Sequence, residues 1–380
     1  MSSVVATFGL PGANLGPDWT ALYRRATPNV FLHPAALRAA ASAGFAKLHV
    51  LEAWLGEGRE GRLIGVWAVQ PALATPLGPP CLATPPYEYA FVSNPVVDPE
   101  FMDEAVEAFF ALISSDRQLS SVMRLRYLDA DCPSYLAILG ALAARGARSM
   151  EISRRARPFA TRASGRKLHG STWGKLRQKW HRLCGAGPVD VRNDSAPDAV
   201  CEAFETYLAL EGASWKGERG TAMLSKQGDA AFARRLIAGL AADGSASVAL
   251  LTLGGRAIAA QVVLYCGSTA YTWKTAFDAA FAEFSPGALL VDKLTEELLA
   301  LDRIESIESC SPEGGFMGRM WNGRRATVDL VADLGKESSL QFSAAAFGAR
   351  SYAQLRAVRD ALRESPPPAT VRWSATGKGE

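Results

Sequence analysis

YTWKTAFDAAFAEFSPGALL, from Tyr271 to Leu290, holds the transition that decides the fold. Its aromatic opening, Tyr271 to Phe277, reads as a strand, and the strongly apolar run from Ala288 to Leu301 reads as a helix. Between them stands Ser285-Pro286-Gly287. Ser is a favoured N-cap, Pro suits the first helical position, where no N–H is needed, and Gly lets a ligand approach the backbone. Ala288 occupies the place of a capping-box Glu or Gln, so no side chain competes for the free amides. A helix start left open in this way suits a phosphate or pyrophosphate. The plain alternative is an ordinary capped helix with no ligand.

Working outward, the second half reads as helices at 172–183, 196–213 and 229–242, then strands at 247–253, 257–266 and 270–277. Gly254-Gly255 is a tight hairpin turn between two alternating apolar runs. A strand at 304–310, a short helix at 316–321, a strand at 327–332 and a helix at 351–363 follow the Ser-Pro-Gly helix. The first half repeats the grammar. A helix over 18–43 is broken near Pro28 and Pro34, and strands follow at 49–55, 63–69 and 88–92. Helix 99–114, strand 122–128, helix 133–145 and strand 149–155 complete it. The expectation is an α/β (α+β) protein of two tandem domains, 1–165 and 166–364, each a mixed, mostly antiparallel sheet flanked by helices. A tail over 365–380, rich in Pro, is expected to be disordered.

Composition narrows the function. At 380 residues and 48% hydrophobic content the chain suits two soluble domains. No apolar run reaches membrane-span length, and Met1–Asp18 lacks the marks of a signal peptide. Six scattered cysteines without a CxxC pair, and four scattered histidines, predict no disulfide framework, no metal and a cytoplasmic location. Net charge is +3, yet residues 152–189 hold ten Lys/Arg and no Asp or Glu, a local block that suits an anion.

Four constellations carry the chemistry. On the helix around 172–183, Trp173, Leu176, Trp180 and Leu183 share one face; Lys175, Lys179 and Arg182 share the next, either solvated or phosphate-binding. Trp215 and Lys216, in the turn EGASWKG, place an aromatic and a cation either at a cleft or at a packed helix end. In the strand, Tyr271, Trp273 and Thr275 point one way and Thr272, Lys274 and Ala276 the other; Lys274 is a candidate substrate contact or an edge lysine that blocks aggregation. At the end of the next strand, Glu308 is a candidate general base, Ser309 a proton donor or orienter, and Cys310 a weaker candidate nucleophile.

Together KLRQKWHRL, LEGASWKGERGTA, YTWKTAFDAAFAEFSPGALL and IESCSPEGGFMGRMW resemble the GNAT acyltransferase superfamily. The nearest branch is the twin-domain CelD-like group of cellulose-biosynthesis-associated acetyltransferases, related to Fem-type peptidoglycan aminoacyltransferases. The resemblance covers about 170–335; the first half matches only in its order of elements. It implies an acetyl-CoA or other acyl-CoA co-substrate whose pyrophosphate rests on the Gly287 and Ala288 amides, with Ser285 and Pro286 shaping the turn and Lys175, Lys179 and Arg182 beside it. It implies direct transfer to an amine or hydroxyl of a small molecule or cell-envelope saccharide. Glu308, Ser309 and Lys274 are then the catalytic candidates; Trp215, Lys216, Tyr271, Trp273, Asp278 and Trp321 are the acceptor contacts. Two departures stand out: Glu308-Ser309-Cys310 replaces Asp-Ser-Cys, and Gly315-Phe316-Met317 replaces His-Pro-Met. Two other readings remain: transfer from charged tRNA, and a GNAT relic that binds a metabolite without catalysis. Oligomeric state is left open.

Overall fold

A computed structural model of the protein describes residues 3–10, 16–42, 44–164, 170–335 and 339–364, with 356–364 by backbone alone. The tail 365–380, and Arg166 and Lys167 of the basic block, lie outside the described residues. In chain order the first half runs β1 (Val4–Gly9), α1 (Gly16–Tyr23), α2 (Pro34–Ser42), β2 (His49–Leu55), β3 (Arg62–Leu73), β4 (Pro80–Ala83), β5 (Val96–Val97), α3 (Met102–Ser115), β6 (Val122–Asp129), α4 (Pro133–Ala144) and β7 (Arg148–Thr161). The second runs α5 (Ser171–Ala186), β8 (Val189–Asp194), α6 (Pro197–Gly212), α7 (Trp215–Glu218), α8 (Gln227–Ala242), β9 (Ala246–Leu253), β10 (Arg256–Cys266), β11 (Thr269–Phe277), α9 (Pro286–Ala300), β12 (Ser306–Glu308), α10 (Phe316–Met320), β13 (Gly323–Asp333) and α11 (Leu340–Glu364).

All strands join one mixed, mostly antiparallel sheet flanked by helices, in the order β1-β2-β3-β4-β6-β13-β7-β12-β11-β10-β9-β8, with β5 on β3. Exchanging β1–β4 with β8–β11, β6 with β12 and β7 with β13 maps this order onto its own reverse. The halves are therefore two copies of one pattern with their last strands exchanged: β13 pairs with both β6 and β7. Among the described residues only β4–β6 and β11–β12 pair in parallel. Each parallel pair is bridged by a helix, α3 or α9, because parallel strands need a crossover.

Local sequence accounts for much of this. The β9–β10 hairpin turns on Gly254 and Gly255, both at positive φ (58° and 83°), the requirement of a type I′ turn. Residues 88–92, expected as a strand, are irregular. Their carbonyls are taken by side chains instead: Trp273 donates to Tyr89 O, Arg157 to Phe91 O and Asn29 to Val92 O. The segment is thereby stitched across the two halves instead of into a ladder. One large apolar cluster holds α1–α4 with α6 and α8; a second holds α5, α9 and α10 against the other side of the second half.

Candidate functional site

β11 and β12 pair only from Thr269↔Ser306 to Tyr271↔Glu308. Beyond that point the strands part: β11 continues to Phe277, while the chain after Glu308 turns away at Cys310, whose φ is 52°. Ser285, at the start of α9, is also left-handed (φ 53°). Left-handed backbone costs a non-glycine residue roughly 1–2 kcal/mol, and here it flanks the opening on both sides.

Ser285 does not cap α9 with its side chain; its hydroxyl accepts from Lys179 Nζ. The left-handed backbone is the reason, since it turns the hydroxyl away from the first helical amides. Ala288's amide donates to Ser285 O at 3.0 Å, so of the two amides expected to hold a phosphate only Gly287's has no partner among the described residues. A Cβ at Gly287 would meet Phe277 and Thr275 at 3.4 Å, ordinary contact. No acidic residue stands in the first turn of α9. α5 packs beside this helix start and brings Lys179 to it. Lys175 is exposed, while Arg182 is paired with Glu283 and stacks on Phe284. Leu176 and Leu183 are buried as the helical period predicts; Trp173 and Trp180 are half-buried under Arg177 and Lys293.

On the opposite face of β11, a bulge changes the expected alternation. The register slips between Val262 and Val263, leaving Trp273 as the extra residue. Trp273 and Lys274 therefore both face the first half. Trp273 donates to Tyr89 O (2.9 Å), and the Lys274 ammonium sits over the rings of Tyr89 (4.5 Å), Phe91 (5.5 Å) and Trp273 (5.7 Å). Among the described residues no carboxylate pairs with it. Burial lowers the Lys274 pKa from its usual 10.5 to about 8; Lys216 adds to the shift, and Glu211, Cys310 and Glu88 oppose it.

Glu308 lies deeper, 1% exposed. Its oxygens stand 3.6 Å from Arg157 Nε and 3.4 Å from Arg325 Nη1, and Arg325 also reaches Asp129 at 3.4 Å. Burial raises the Glu308 pKa, and the two guanidiniums offset this in part. Oε1 accepts no hydrogen bond. Burial pushes the Cys310 thiol up as well, which removes the thiolate a nucleophile needs.

The remaining expected residues are elsewhere or otherwise engaged. Trp321 is fully buried, donates to Thr295 Oγ1 (3.2 Å) and belongs to the α9–α10 core, so it is not a surface for an acceptor. Tyr271 is buried, with its hydroxyl on Pro28 O. Asp278 caps the 3-10 turn Ala279–Phe284 and pairs with Arg256. Ser309 is 1% exposed and closes the turn to Ser311. Lys216 is tied to the buried Glu211, which also accepts from Tyr207 and the Met223 amide. Burial works against the Glu211 charge, yet Lys216 and these bonds hold its carboxyl below the usual range. Trp215 is 52% exposed, capped by Arg219, and not packed at a helix end. Sequence reasoning missed Arg325, Asp129, Tyr89 and Phe91; Arg157 was visible only as one charge in the basic block.

Residues 170–310 match the family model of the acetyltransferase (GNAT) domain, and that segment carries both α9 and the β11–β12 opening. No curated protein matches the sequence. Solved structures share the fold over most of the chain. FemX matches at 12% identity and TM-score 0.54, covering 84% of this chain and 95% of its own. A conserved protein of unknown function from Bacteroides thetaiotaomicron matches at 13% and 0.54, covering 87% and 100%. The C-terminal (DUF2156) domain assigned to a lysylphosphatidylglycerol synthetase of Agrobacterium fabrum matches at 13% and 0.52, covering 89% and 95%. At such identities the likeness is one of fold: a GNAT-like, mostly antiparallel sheet flanked by helices. Among the described residues no group of three His, Cys, Asp or Glu is placed to hold a metal, and no helix is long and apolar enough to cross a membrane.

Proposed function

We propose that the chain is an acyltransferase that takes its acyl group from acyl-CoA, held between β11 and β12 with the pyrophosphate at the start of α9. The observation that carries this reading is the convergence at Gly287: an unpartnered amide, no acid in the first turn, and Lys179 delivered beside it by a separate helix. Bound there, acyl-CoA supplies an activated thioester whose acyl carbon passes directly to an amine or hydroxyl as the C–S bond breaks. Lys274, half-buried with its pKa near 8, takes the acceptor's proton and returns it to the leaving sulfur. The rings of Tyr89, Phe91 and Trp273 keep its charged form poorly solvated. Glu308 acts behind this opening by holding Arg157 and Arg325, since solvent does not reach it and both its oxygens face guanidiniums. The acceptor is an amine or hydroxyl of a small molecule or saccharide, entering from the side of the first half.

Calorimetric titration with acetyl-CoA tests the reading. Micromolar binding by the wild type that Gly287→Glu weakens about a hundredfold supports it; no binding at millimolar acetyl-CoA by a folded protein overturns it. A second reading, transfer from charged tRNA, draws on the exposed basic side of α5 (Lys175, Arg177) and the FemX-like fold. Its signature is RNA binding that weakens steeply with salt.

A further inference from the structure

A groove of about 680 Å³ lies beneath α11, against β6, β7 and β13. Leu73, Ala74, Pro76 and Leu330 give it apolar lining. Three arginines, Arg124, Arg126 and Arg155, line it as well, against one carboxylate, Asp329. Asp329 is already engaged by Arg155 and by Ser153. Arg126 has no carboxylate partner among the described residues; its guanidinium donates to the Tyr127 hydroxyl and stacks on that ring at 4.7 Å. Arg124 donates from Nη1 to Ala74 O, but its Nε is buried with no hydrogen-bond partner. Burial lowers the pKa of this guanidinium, the mark of a charge desolvated without full compensation. Arg124 and Arg126 also line a second cavity, of about 510 Å³.

Unpaired guanidiniums beside an apolar wall describe the complement of an amphipathic anion. We propose that this groove binds an amphipathic phosphate ester, its phosphate between Arg124, Arg126 and Arg155 and its hydrocarbon along Leu73, Ala74, Pro76 and Leu330. The site is separate from the α9 helix start, and the proposal does not rest on the transfer reaction. It touches that machinery at one point: Arg126, Arg155 and Arg157 all approach the Tyr127 ring, and Arg157 pairs with Glu308. The same chemistry is presented by a bilayer lipid headgroup and by a soluble phosphorylated metabolite with an apolar body.

The test is calorimetry on the full chain with dodecyl phosphate, dodecyl maltoside and inorganic phosphate, below micellar concentrations. Dodecyl phosphate binds about tenfold or more tighter than either control, and Arg126→Gln loses about tenfold of that affinity. Arg124→Gln has a similar effect; should it fail to fold by circular dichroism, Arg126→Gln, packed on an outlying ring, carries the test. Equal affinity for the neutral maltoside, or unchanged affinity in a folded Arg126→Gln protein, overturns the proposal. Co-sedimentation with phosphatidic acid vesicles but not phosphatidylcholine vesicles, lost in Arg126→Gln, assigns the ligand to a bilayer. Dodecyl phosphate binding without vesicle binding assigns it to a soluble ester.

Discussion

The two halves build the same crossover and finish it in opposite ways. In the second, α9 begins with Ser285, Pro286 and Gly287, with no acid in its first turn. In the first, α3 begins behind Asp98 and Glu100 and carries Asp103 and Glu104 in its first turn. Asp98 accepts from the Glu100 amide and is itself held by Arg25 and Arg62. The positive end of α3 is thus neutralised by the chain's own carboxylates, whereas that of α9 is left for something else. Repeating a backbone pattern does not repeat a site; the residues at one helix start decide whether it receives an anion.

Lys274 sharpens the contrast most, because β4, the counterpart of β11, is followed by Thr84-Pro85 and has no such amine. Lys274→Met lowers kcat/KM for transfer by about 10²–10⁴-fold, read in a thiol-release assay. The ascending limb of the wild-type pH–rate profile falls near pH 8. The same variant is more stable than wild type at pH 7. The folded-state pKa of about 8 lies below the usual 10.5, so the unfolded chain holds this proton more tightly and burial costs stability in full below pH 8. Wild-type stability recovers as pH rises from 8 to 10.5, and denaturant melts across that window show the gap closing.

Removing Glu308 strips the opening of its buried anion. Glu308→Ala leaves Arg157 without its buried carboxylate and costs about 3–5 kcal/mol in chemical denaturation; a loss under 1 kcal/mol breaks the view that it anchors the two arginines. Gly287→Glu makes α9 start as α3 does. It weakens acetyl-CoA binding about a hundredfold, read by calorimetry on protein whose fold is checked by circular dichroism, since the Glu carboxylate repels the phosphate at that helix start. Lys179→Ala loses about fivefold in the same titration, since the amide remains. Trp215→Ala, at an exposed position capped by Arg219, changes stability by no more than about 0.5 kcal/mol.

What the sequence disclosed was local. A short, largely apolar run placed β2 at His49–Leu55, paired glycines placed the β9–β10 turn, and Pro286 placed the start of α9. What it withheld depends on partners distant in the chain. The bulge at Trp273 exists only relative to Val262 and Val263, and without it Trp273 and Lys274 point to opposite faces. Arg325 lies in Gly-Arg-Arg, a run with no motif, and acquires its meaning from Glu308 and Asp129 across the sheet. β1 and β8 are edge strands in which no residue is fully buried, so their hydrophobic signal is weak. Trp321 and Asp278 stood in matching stretches but serve a core and a turn, because proximity in a motif does not fix which way a side chain points.

The exchange of β7 and β13 bears on how the chain is made. During synthesis the first half emerges with β6 and β7 but without the strand that belongs between them, since β13 is made only after β8–β12. Until then both β6 and β7 offer open hydrogen-bonding edges, the kind that captures foreign strands. The nascent chain therefore depends on a strand of its second half to close its first, and a ribosome stalled before Gly323 holds a product with an unfilled gap in its sheet.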